Sequence, residues 1–491
     1  MDTIISVKPL LAVLLSLLLP AALISARSDN LREGWTFVVA IIKFGIIASM
    51  LPAVLAGSRI EWTLVSLAPG VSIAFRVDAM GMLFALVSSF LWIITTIYSI
   101  GYMRGLKEHS QTRYFCFFSL SLSAAVGVAF SANLLTMYLF YEMLSFATYP
   151  LVTHHQDREA RSSGRKYLTY ILGGSIALVL PAMLIVYSLT GTLDFTGSGI
   201  MANTGISQTA VAVLLLMFVF GFAKAGVMPL HSWLPAAMVA PTPVSALLHA
   251  VAVVKVGVFS ILRIITGVFG VGFLASMHLG TLIAVIASVT ILVASLIALS
   301  QDGLKRRLAF STIGQLSYIV LGAALLTPSA LTGSMLHIAM HAFGKITLFF
   351  CAGAIFVATG KKNVSEMVGI GKRMPVTMGA FLIGAMSVTG LPPAGGFISK
   401  WLLAIGTLEA HQVAFLVVLL TSSLLNAAYF FPVFYKAFFC TKAESLFEDR
   451  FEEAPLWCVV PLCITAVISI VLFFFPGPFL WLAELAVKGL M

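Results

Sequence analysis

The chain has 491 residues, of which 60% are hydrophobic and only 10% are charged. A soluble globular protein carries roughly 25% charged residues, so this composition excludes a soluble protein and is typical of one that faces lipid. The formal net charge of +10 is concentrated in a few short segments, a pattern that favours a role in membrane topology over nucleic-acid binding.

Apolar stretches long enough to cross a bilayer recur throughout the chain. A spanning helix needs about 20 mostly apolar residues. The sequence predicts about fourteen such helices, centred near residues 17, 46, 90, 122, 142, 178, 217, 254, 288, 316, 344, 391, 425 and 468. The first, Leu10 to Ile24, has a weakly basic n-region and no clear cleavage site, so we expect helix 1 rather than a signal peptide. We therefore expect an all-α membrane protein without a soluble domain.

Basic loops predict the orientation of these helices. Four such loops follow predicted helices 3, 5, 9 and 11, which places them all on one side, and the positive-inside rule makes that side cytoplasmic. An even helix count then puts both termini on the non-cytoplasmic side of the cell inner membrane. The segment Lys442 to Glu453 is also expected there, as a solvated loop or as a contact with a neighbouring protein. The four basic loops are Arg104 to Arg113, Arg158 to Lys166, Lys305 to Arg307 and Lys361 to Arg373.

Ionisable residues inside the predicted spans are the main functional signal. Each costs about 2.5–3.5 kcal/mol on insertion scales, so each is a functional candidate. Glu142 and Lys224 lie in different predicted helices, and we expect them to pair because a carboxylate in hydrocarbon needs a cation or a proton. Lys255 is flanked by apolar residues, and His249 precedes it in the same helix.

A second group of ionisable residues follows in the C-terminal half. His337, His341 and Lys345 have i, i+4, i+8 spacing and share one helix face. A metal site there would need further Cys, Asp or Glu ligands, and none is evident at this depth. A polar stripe for protons is favoured, because burial can bring the pKa of a lysine close to neutral whereas an arginine stays charged. Lys400 extends this row.

Proline and glycine interrupt predicted helices 7 and 12. The first interruption contains Pro229 and His231, the second contains Pro392 and Pro393, and each lies beside a buried lysine. Ordinary kinks are the alternative, but matching breaks in two halves indicate a midplane site between inverted repeats. We predict two five-helix repeats, helices 4–8 and 9–13. The corresponding divisions are 1–110 for helices 1–3, 111–268 for the first repeat, 269–440 for the second, and 441–491 for a C-terminal loop and helix 14.

Other residues carry weaker signals. Lys43 and Lys436 can be interpreted as lysines that extend to the lipid headgroups. The cysteines lie in or beside apolar segments without metal-ligand spacing. No cofactor-binding or metal-binding residues are predicted. The five cysteines are Cys116, Cys351, Cys440, Cys458 and Cys463.

These strings of residues resemble a known family, the proton-conducting membrane subunits shared by respiratory complex I, membrane-bound hydrogenases and Mrp-type cation/proton antiporters. The longest match is Gly221 to Ala250, and the matches together extend from about residue 70 to about residue 440. The resemblance implies fourteen helices, inverted five-helix repeats and broken helices 7 and 12. Supporting matches are Tyr141 to Met143, Asp302 to Arg306, His337 to Lys345, and Leu391 to Phe397 with Lys400.

The resemblance also implies roles for individual residues. Glu142 would pair with Lys224, and Lys255, with His249 beside it, would link two half-channels. The Mrp-type D subunit is the nearest fit, because Lys400 stands where one complex I member has glutamate and the chain ends soon after helix 14. The stretch Tyr149 to His155 departs from the family pattern. The remaining path residues would be His337, His341, Lys345 and Lys400.

The sequence therefore predicts a membrane subunit that moves protons along a buried Glu/Lys/His axis, exchanging them for Na⁺, K⁺ or no other cation. Its expected partners are other membrane subunits, including homologous ones, together with the lipid bilayer. The alternative is a subunit of a redox-driven complex such as an NADH:quinone oxidoreductase, a membrane-bound hydrogenase or a formate hydrogenlyase. The chain carries no redox signature of its own, so such chemistry would belong to partners. A scaffold for inorganic-carbon uptake is a third possibility.

Overall fold

The computed structural model describes residues 3–440 and 451–490. Most of this chain is helical, and ten helical stretches are long and apolar enough to cross a membrane. In chain order, the helices are α1 (Lys8–Ser25), α2 (Asp29–Ala48), α3 (Leu51–Leu55), α4 (Ala79–Gly105), α5 (Gln111–Ala129), α6 (Leu134–Val152), α7 (Arg158–Gly174), α8 (Leu180–Thr190), α9 (Gln208–Gly221), α10 (Trp233–Ala236), α11 (Thr242–Ala246), α12 (Val253–Arg263), α13 (Val271–Ser276), α14 (Gly280–Ser300), α15 (Leu304–Ala324), α16 (Pro328–Thr359), α17 (Ile370–Arg373), α18 (Pro375–Thr389), α19 (Gly396–Glu409), α20 (Val413–Phe439), α21 (Leu456–Phe474) and α22 (Gly477–Lys488).

Two of the helical stretches in the interior of the bundle carry ionisable residues. Thr242–Phe269, which comprises α11, α12 and adjoining π-helical turns, is buried along the whole of its most apolar window, and the corresponding window of α16 is 78% buried. By contrast, the windows of α1 and α20 are each only 33% buried, and their exposed apolar side chains suit contact with lipid. These two buried stretches carry five of the predicted ionisable residues, namely His249, Lys255, His337, His341 and Lys345.

A small sheet joins the chain ahead of α4. Strand β1 (Thr3–Ile5) pairs in parallel with β2 (Arg59–Ala68), and β2 pairs antiparallel with β3 (Val71–Val77) across a turn at Pro69 and Gly70. The prediction of an all-α protein missed this sheet. Its signal is present in the sequence, since the β2 and β3 segments are rich in β-branched and aromatic residues and flank a Pro-Gly turn.

An ion pair fixes the start of α4. The Asp78 carboxylate accepts a hydrogen bond from the Gly81 amide at 2.8 Å and two more from the Arg263 guanidinium at 2.5 and 2.6 Å. Burial alone would raise the pKa of Asp78, but the adjacent Arg263 outweighs it and holds the pKa below the ordinary 3.8. The charged carboxylate therefore ties α4 to the end of α12.

Two helices stop within the bundle at the predicted breaks. The helix α9 ends at Gly221 and gives way to a single 3₁₀ turn at Ala223–Ala225, which is followed by turns that contain Pro229. The helix α18 ends at Thr389, and the chain passes Pro392 and Pro393 before α19 begins at Gly396. Residues 221–227 and 394–396 of these breaks are buried, where neighbouring groups can satisfy freed amides and carbonyls, whereas Pro229, Pro392 and Pro393 are exposed.

The segment Lys442 to Glu453 was predicted to lie on the side opposite the basic loops, and its last two residues do not. Residues 442–450 lie outside the described part of the chain, but the Glu452 carboxylate accepts a hydrogen bond from Arg373 Nε at 3.0 Å. Glu453 accepts from the backbone amide of Val376 at 2.8 Å and from the Thr377 hydroxyl, at the N-terminus of α18. Glu452 and Glu453 thus lie at the same end of the bundle as the basic loop Lys361 to Arg373. The segment follows an odd-numbered predicted helix, as the four basic loops do, so the same alternation places it with them.

We predict that Asp78→Asn destabilises the protein by roughly 2–3 kcal/mol, the scale of losing hydrogen bonds to a charged group. Asparagine retains the helix cap, so the change isolates the ion pair. Because the folded-state pKa of Asp78 is depressed, the contribution is present above the ordinary pKa of 3.8 and is lost as the pH falls through the folded value. The thermal unfolding midpoint of the purified protein in detergent measures the effect.

Asp157→Asn is the matched control. Asp157 caps α7 through the Ala160 amide at 2.7 Å and has no cationic side chain within 4.0 Å in the described chain. Equal midpoints for the two variants at neutral pH would contradict a stabilising role for the ion pair with Arg263.

Candidate functional site

The predicted ionisable residues are buried in a row through the bundle. Lys224, Lys255 and Lys345 are at most 1% exposed, and Lys400 is 9% exposed. Within the described chain, none of these four lysines has a carboxylate oxygen within 4.0 Å of its ammonium group. Their partners are hydroxyls, an imidazole and backbone carbonyls, so each lysine could change its protonation state without breaking an ion pair.

Tyr141 and Ser145, on α6, hold Lys224 in the first break. The Lys224 Nζ donates to the Tyr141 carbonyl at 2.7 Å and to the Ser145 hydroxyl at 2.6 Å, and it lies 3.2 Å from the centroid of the Tyr141 ring. The Lys224 backbone amide also donates to the Tyr141 hydroxyl at 3.1 Å. Because α9 has already ended, this tyrosine supplies a partner for a backbone amide that is free of the helix.

Glu142 and Lys224 do not form the direct pair that we expected. No Glu142 oxygen lies within 4.0 Å of Lys224 Nζ; instead the Ser145 hydroxyl, which accepts from Lys224, lies 3.4 Å from Glu142 Oε2. The other carboxylate oxygen, Oε1, is buried without a hydrogen-bond partner in the described chain. A hydroxyl can accept and donate at once, so Ser145 can relay between the two charges. Sequence reasoning missed this residue because serine is common in membrane helices and carries no charge.

Helix α12 passes directly against the break that carries Lys224. A Cβ atom built on Gly257 would lie 2.2 Å from the Ala225 amide nitrogen and 2.4 Å from the Lys224 carbonyl carbon. The Trp233 indole donates to the Ala223 carbonyl at 3.0 Å and holds the same turn from the other side. The position of Lys224 therefore depends on the absence of a side chain at residue 257.

Lys255 and His341 form the link between the two interior stretches. The Lys255 Nζ lies 2.8 Å from His341 Nδ1, and the His341 ring lies 5.6 Å from the His337 ring, centroid to centroid. His337 in turn contacts the Ser399 hydroxyl at 2.8 Å and the Gln315 side-chain oxygen at 3.2 Å. The ammonium can only donate, so in this arrangement His341 Nδ1 accepts. A proton passed along this contact would move from an amine to an imidazole.

Lys345 and Lys400 continue the row toward the second break. The Lys345 Nζ donates to the Ser311 hydroxyl at 2.8 Å. The Lys400 Nζ donates to the Thr389 carbonyl at 3.0 Å, which is the last carbonyl of α18, and to the Ser423 hydroxyl at 3.2 Å. The break thus supplies a carbonyl at the negative end of a helix dipole for a buried cation.

The remaining predicted histidines differ in their surroundings. Both ring nitrogens of His249 are buried without a partner among the described residues, and the ring lies 4.8 Å from that of Phe349. His231 stands apart from the row and lines a cavity of about 760 Å³ beside Lys305 and Lys362. His249 thus has unused hydrogen-bonding capacity inside the bundle, whereas His231 borders a cavity at the end that carries the basic loops.

Lys43 does not extend to the headgroups. It is fully buried, and its Nζ donates to the Ser16 hydroxyl at 2.7 Å and to the Leu122 carbonyl at 2.9 Å. It therefore lies among α1, α2 and α5, a group of helices separate from those that carry the row. Lys436, which is partly exposed near the end of α20, fits the headgroup interpretation.

Comparison with known proteins identifies the family. The profile described as NADH:quinone oxidoreductase/Mrp antiporter, transmembrane, matches residues 131–426, and the profile for the N-terminus of complex I chain 5 matches residues 65–115. NADH-quinone oxidoreductase subunit N of Desulforudis audaxviator is 36% identical over 71% of this chain and 70% of its own length. The Na⁺/H⁺ antiporter A subunit of Alkalihalophilus pseudofirmus is 30% identical over 94% of this chain, and hydrogenase-4 component B of Escherichia coli is 31% identical over 82%.

This chain spans only 60% of that antiporter protein's length and 62% of the hydrogenase component's length. Two solved structures share its fold. A chain of the Mrp complex from Dietzia sp. DQ12-45-1b has a TM-score of 0.87 at 23% identity, covering 99% of this chain and 97% of that chain. A chain of the archaeal membrane-bound sulfane sulfur reductase has a TM-score of 0.86 at 24% identity with the same coverages. The family resemblance drawn from the sequence is confirmed.

We predict that Gly257→Ala destabilises the protein by about 1–3 kcal/mol, because a methyl group would overlap backbone atoms of the break. Gly173→Ala is the matched control, since a Cβ atom there meets nothing within 4 Å. Thermal midpoints and gel-filtration profiles in detergent compare the two. A Gly257→Ala protein as stable as Gly173→Ala would show that the close approach of α12 to Lys224 is not a constraint.

Proposed function

The chain belongs to the NADH:quinone oxidoreductase/Mrp antiporter transmembrane family, and we propose that it is a proton-translocating subunit of a multisubunit cation/proton antiporter. The single observation that carries the proposal is the continuous burial of Lys224, Lys255, Lys345 and Lys400 beside neutral partners. Isolated ionisable groups at this depth are costly, and four of them buried in one bundle favour a role in a path over a role in packing.

The proposed proton path follows the row in order. A proton moves from Lys224 to Lys255, then to His341 or His337, then to Lys345, and finally to Lys400. His249 lies beside this path, and both of its ring nitrogens are available within the described chain. The 2.8 Å contact between Lys255 and His341 supports the step between the two halves.

Glu142 would set when Lys224 releases its proton. A nearby carboxylate stabilises the ammonium form, and its withdrawal leaves a buried cation that is costly to keep. Ser145 lies between the two groups, so rotation of one hydroxyl could connect or disconnect them. In this scheme the pair acts through the serine rather than by direct contact.

The architecture that we propose for this path has fourteen spanning helices. The ten long apolar stretches are supplemented by α6, by α15 and by the two broken helices α9 and α18–α19. Helices 4–8 and 9–13 would form inverted repeats within 111–268 and 269–440, with helices 1–3 in 1–110 and helix 14 in 441–491. The basic loops would face the cytoplasm, with both termini on the other side of the inner membrane.

The partners would be other membrane subunits, some of them homologous to this one. Both structural neighbours are chains of multisubunit membrane complexes, which supports this expectation. The exchanged cation would be Na⁺, as the name of the Na⁺/H⁺ antiporter relative suggests, or K⁺. The Mrp-type D subunit remains our prediction for the nearest equivalent.

A second candidate function is favoured by two of the relatives. NADH-quinone oxidoreductase subunit N and hydrogenase-4 component B belong by name to redox complexes. The chain would then be the proton-moving subunit of a redox-driven complex whose electron chemistry lies in partners. Purification of the native complex discriminates between the two, because iron–sulfur subunits would accompany only the redox form.

We predict that Lys224→Met and Glu142→Gln each reduce proton transport at least tenfold while the complex still assembles. The first removes a carrier and the second removes the charge that tunes it. Everted membrane vesicles from cells that carry the native gene cluster report transport, through the fluorescence of a ΔpH-sensitive dye after addition of Na⁺, K⁺ or the electron donor.

Lys43→Met is the matched control, because Lys43 is equally buried but contacts Ser16 and Leu122 away from the row. We expect near-normal transport in this variant. Normal flux in Lys224→Met at normal subunit levels, or an equal loss in Lys43→Met, would refute the assignment of the row as the path.

A further inference from the structure

Four metal-ligating side chains converge outside the row, at the end of the bundle that carries the basic loops. Glu108 and His109 lie in the loop between α4 and α5, and His154 and His155 lie in the loop between α6 and α7. Glu108 Oε2 is 3.8 Å from His109 Nδ1, 3.8 Å from His154 Nε2 and 3.8 Å from His155 Nδ1. One carboxylate oxygen is thus equidistant from three imidazole nitrogens.

The spacing is close to that of a tetrahedral metal site. Zinc binds imidazole nitrogen at about 2.0–2.1 Å and carboxylate oxygen at about 2.0–2.2 Å, so donors at tetrahedral angles lie about 3.4 Å apart. Ligand atoms of Glu108, His109 and His154 lie within 4.8 Å of one another. The separations of 3.8 Å from Glu108 Oε2 are too long for hydrogen bonds and close to the spacing of metal ligands; His155 approaches Glu108 but lies outside the mutually close group of three, so its side chain would turn toward the ion.

The unpartnered ring nitrogens of His154 are an independent observation that favours a bound metal ion. Its side chain is fully buried, and both ring nitrogens are without a hydrogen-bond partner in the described chain. An imidazole nitrogen that is buried without a hydrogen-bond partner is available to coordinate a metal ion.

His109 is oriented as a metal ligand would be. Its Nε2 lies 3.1 Å from the His154 carbonyl oxygen, which can only accept, so Nε2 carries the proton and Nδ1 presents its lone pair toward Glu108. Metal-bound histidines usually donate their second nitrogen to a carbonyl or carboxylate in this way. Arg113 donates to the same carbonyl at 2.7 Å and fixes the loop further.

We propose that Glu108, His109, His154 and His155 form a zinc-binding site that joins the α4–α5 loop to the α6–α7 loop. Three imidazoles and one carboxylate favour Zn²⁺ over Mg²⁺ or Ca²⁺, which prefer oxygen ligands. His109 and His155 are 50% and 36% exposed, so an ion can reach the buried His154 from solvent. Glu108 and His155 also line the 760 Å³ cavity, which places the metal at its rim. The site does not depend on the proposed transport function.

The test is Zn²⁺ binding to the full-length protein, purified with an affinity tag that contains no histidine. Equilibrium dialysis against buffered Zn²⁺ in the presence of excess Mg²⁺, followed by elemental analysis, should give one Zn²⁺ per chain. X-ray absorption should show nitrogen and oxygen ligands with the scattering pattern of imidazole. His109→Gln and His155→Gln, which alter exposed side chains and so preserve the fold, should each weaken binding by at least about tenfold.

His278→Asn and His411→Asn are the matched controls. Both histidines lie in other loops, at φ +54°, a conformation that asparagine adopts readily. They should bind Zn²⁺ as the wild type does, and Zn²⁺ should raise the thermal midpoint of the wild type and these controls only. Absence of bound Zn²⁺ in the wild type, or equal affinity in His109→Gln and His155→Gln, would overturn the proposal.

Discussion

The hydrocarbon core of a bilayer offers no water, so every buried polar group must find its partner within the protein. This constraint determines how the chain holds its cations. Lys224, Lys400 and Lys43 each donate to a backbone carbonyl, from Tyr141, Thr389 and Leu122 respectively. The backbone of neighbouring helices thus replaces the solvent shell of the ammonium groups, and serine hydroxyls complete it.

The broken helices meet the same constraint by providing backbone groups that can bond to buried lysines. An unbroken helix uses nearly all of its carbonyls and amides internally, whereas a helix that stops leaves several of each free. At the first break, the Tyr141 carbonyl accepts a hydrogen bond from the Lys224 ammonium group, and the Tyr141 hydroxyl accepts one from the Lys224 backbone amide. At the second, Gly390 adopts a φ of +87°, and a Cβ atom there would lie 2.6 Å from Lys400 Cδ, so glycine both allows the turn and leaves space for the lysine.

The sequence predicts the row well, because charges in apolar stretches stand out and their cost is large. It predicts the partners poorly. Tyr141 and Ser145 hold Lys224, yet hydroxyls and carbonyls carry no signal that distinguishes them from ordinary helix residues. The hairpin at residues 59–77 lies between two predicted spans, and a criterion based on the length of apolar stretches assigns no element there.

The cluster of Glu108 with three histidines was also out of reach of sequence reasoning. Its two loops are separated by 45 positions in the chain, and only the packing of α5 against α6 brings them together. The departure of Tyr149 to His155 from the family pattern was the one available indication. Spacing rules detect ligands that share one helix, and these four do not.

The contacts of Glu453 link the surface of the molecule to its interior. This carboxylate binds the first amides of α18, and the last carbonyl of the same helix binds the Lys400 ammonium. With 15 residues, α18 is a rigid rod about 22 Å long. Glu453 and the buried cation are therefore connected through a single helix, although they contact its opposite ends.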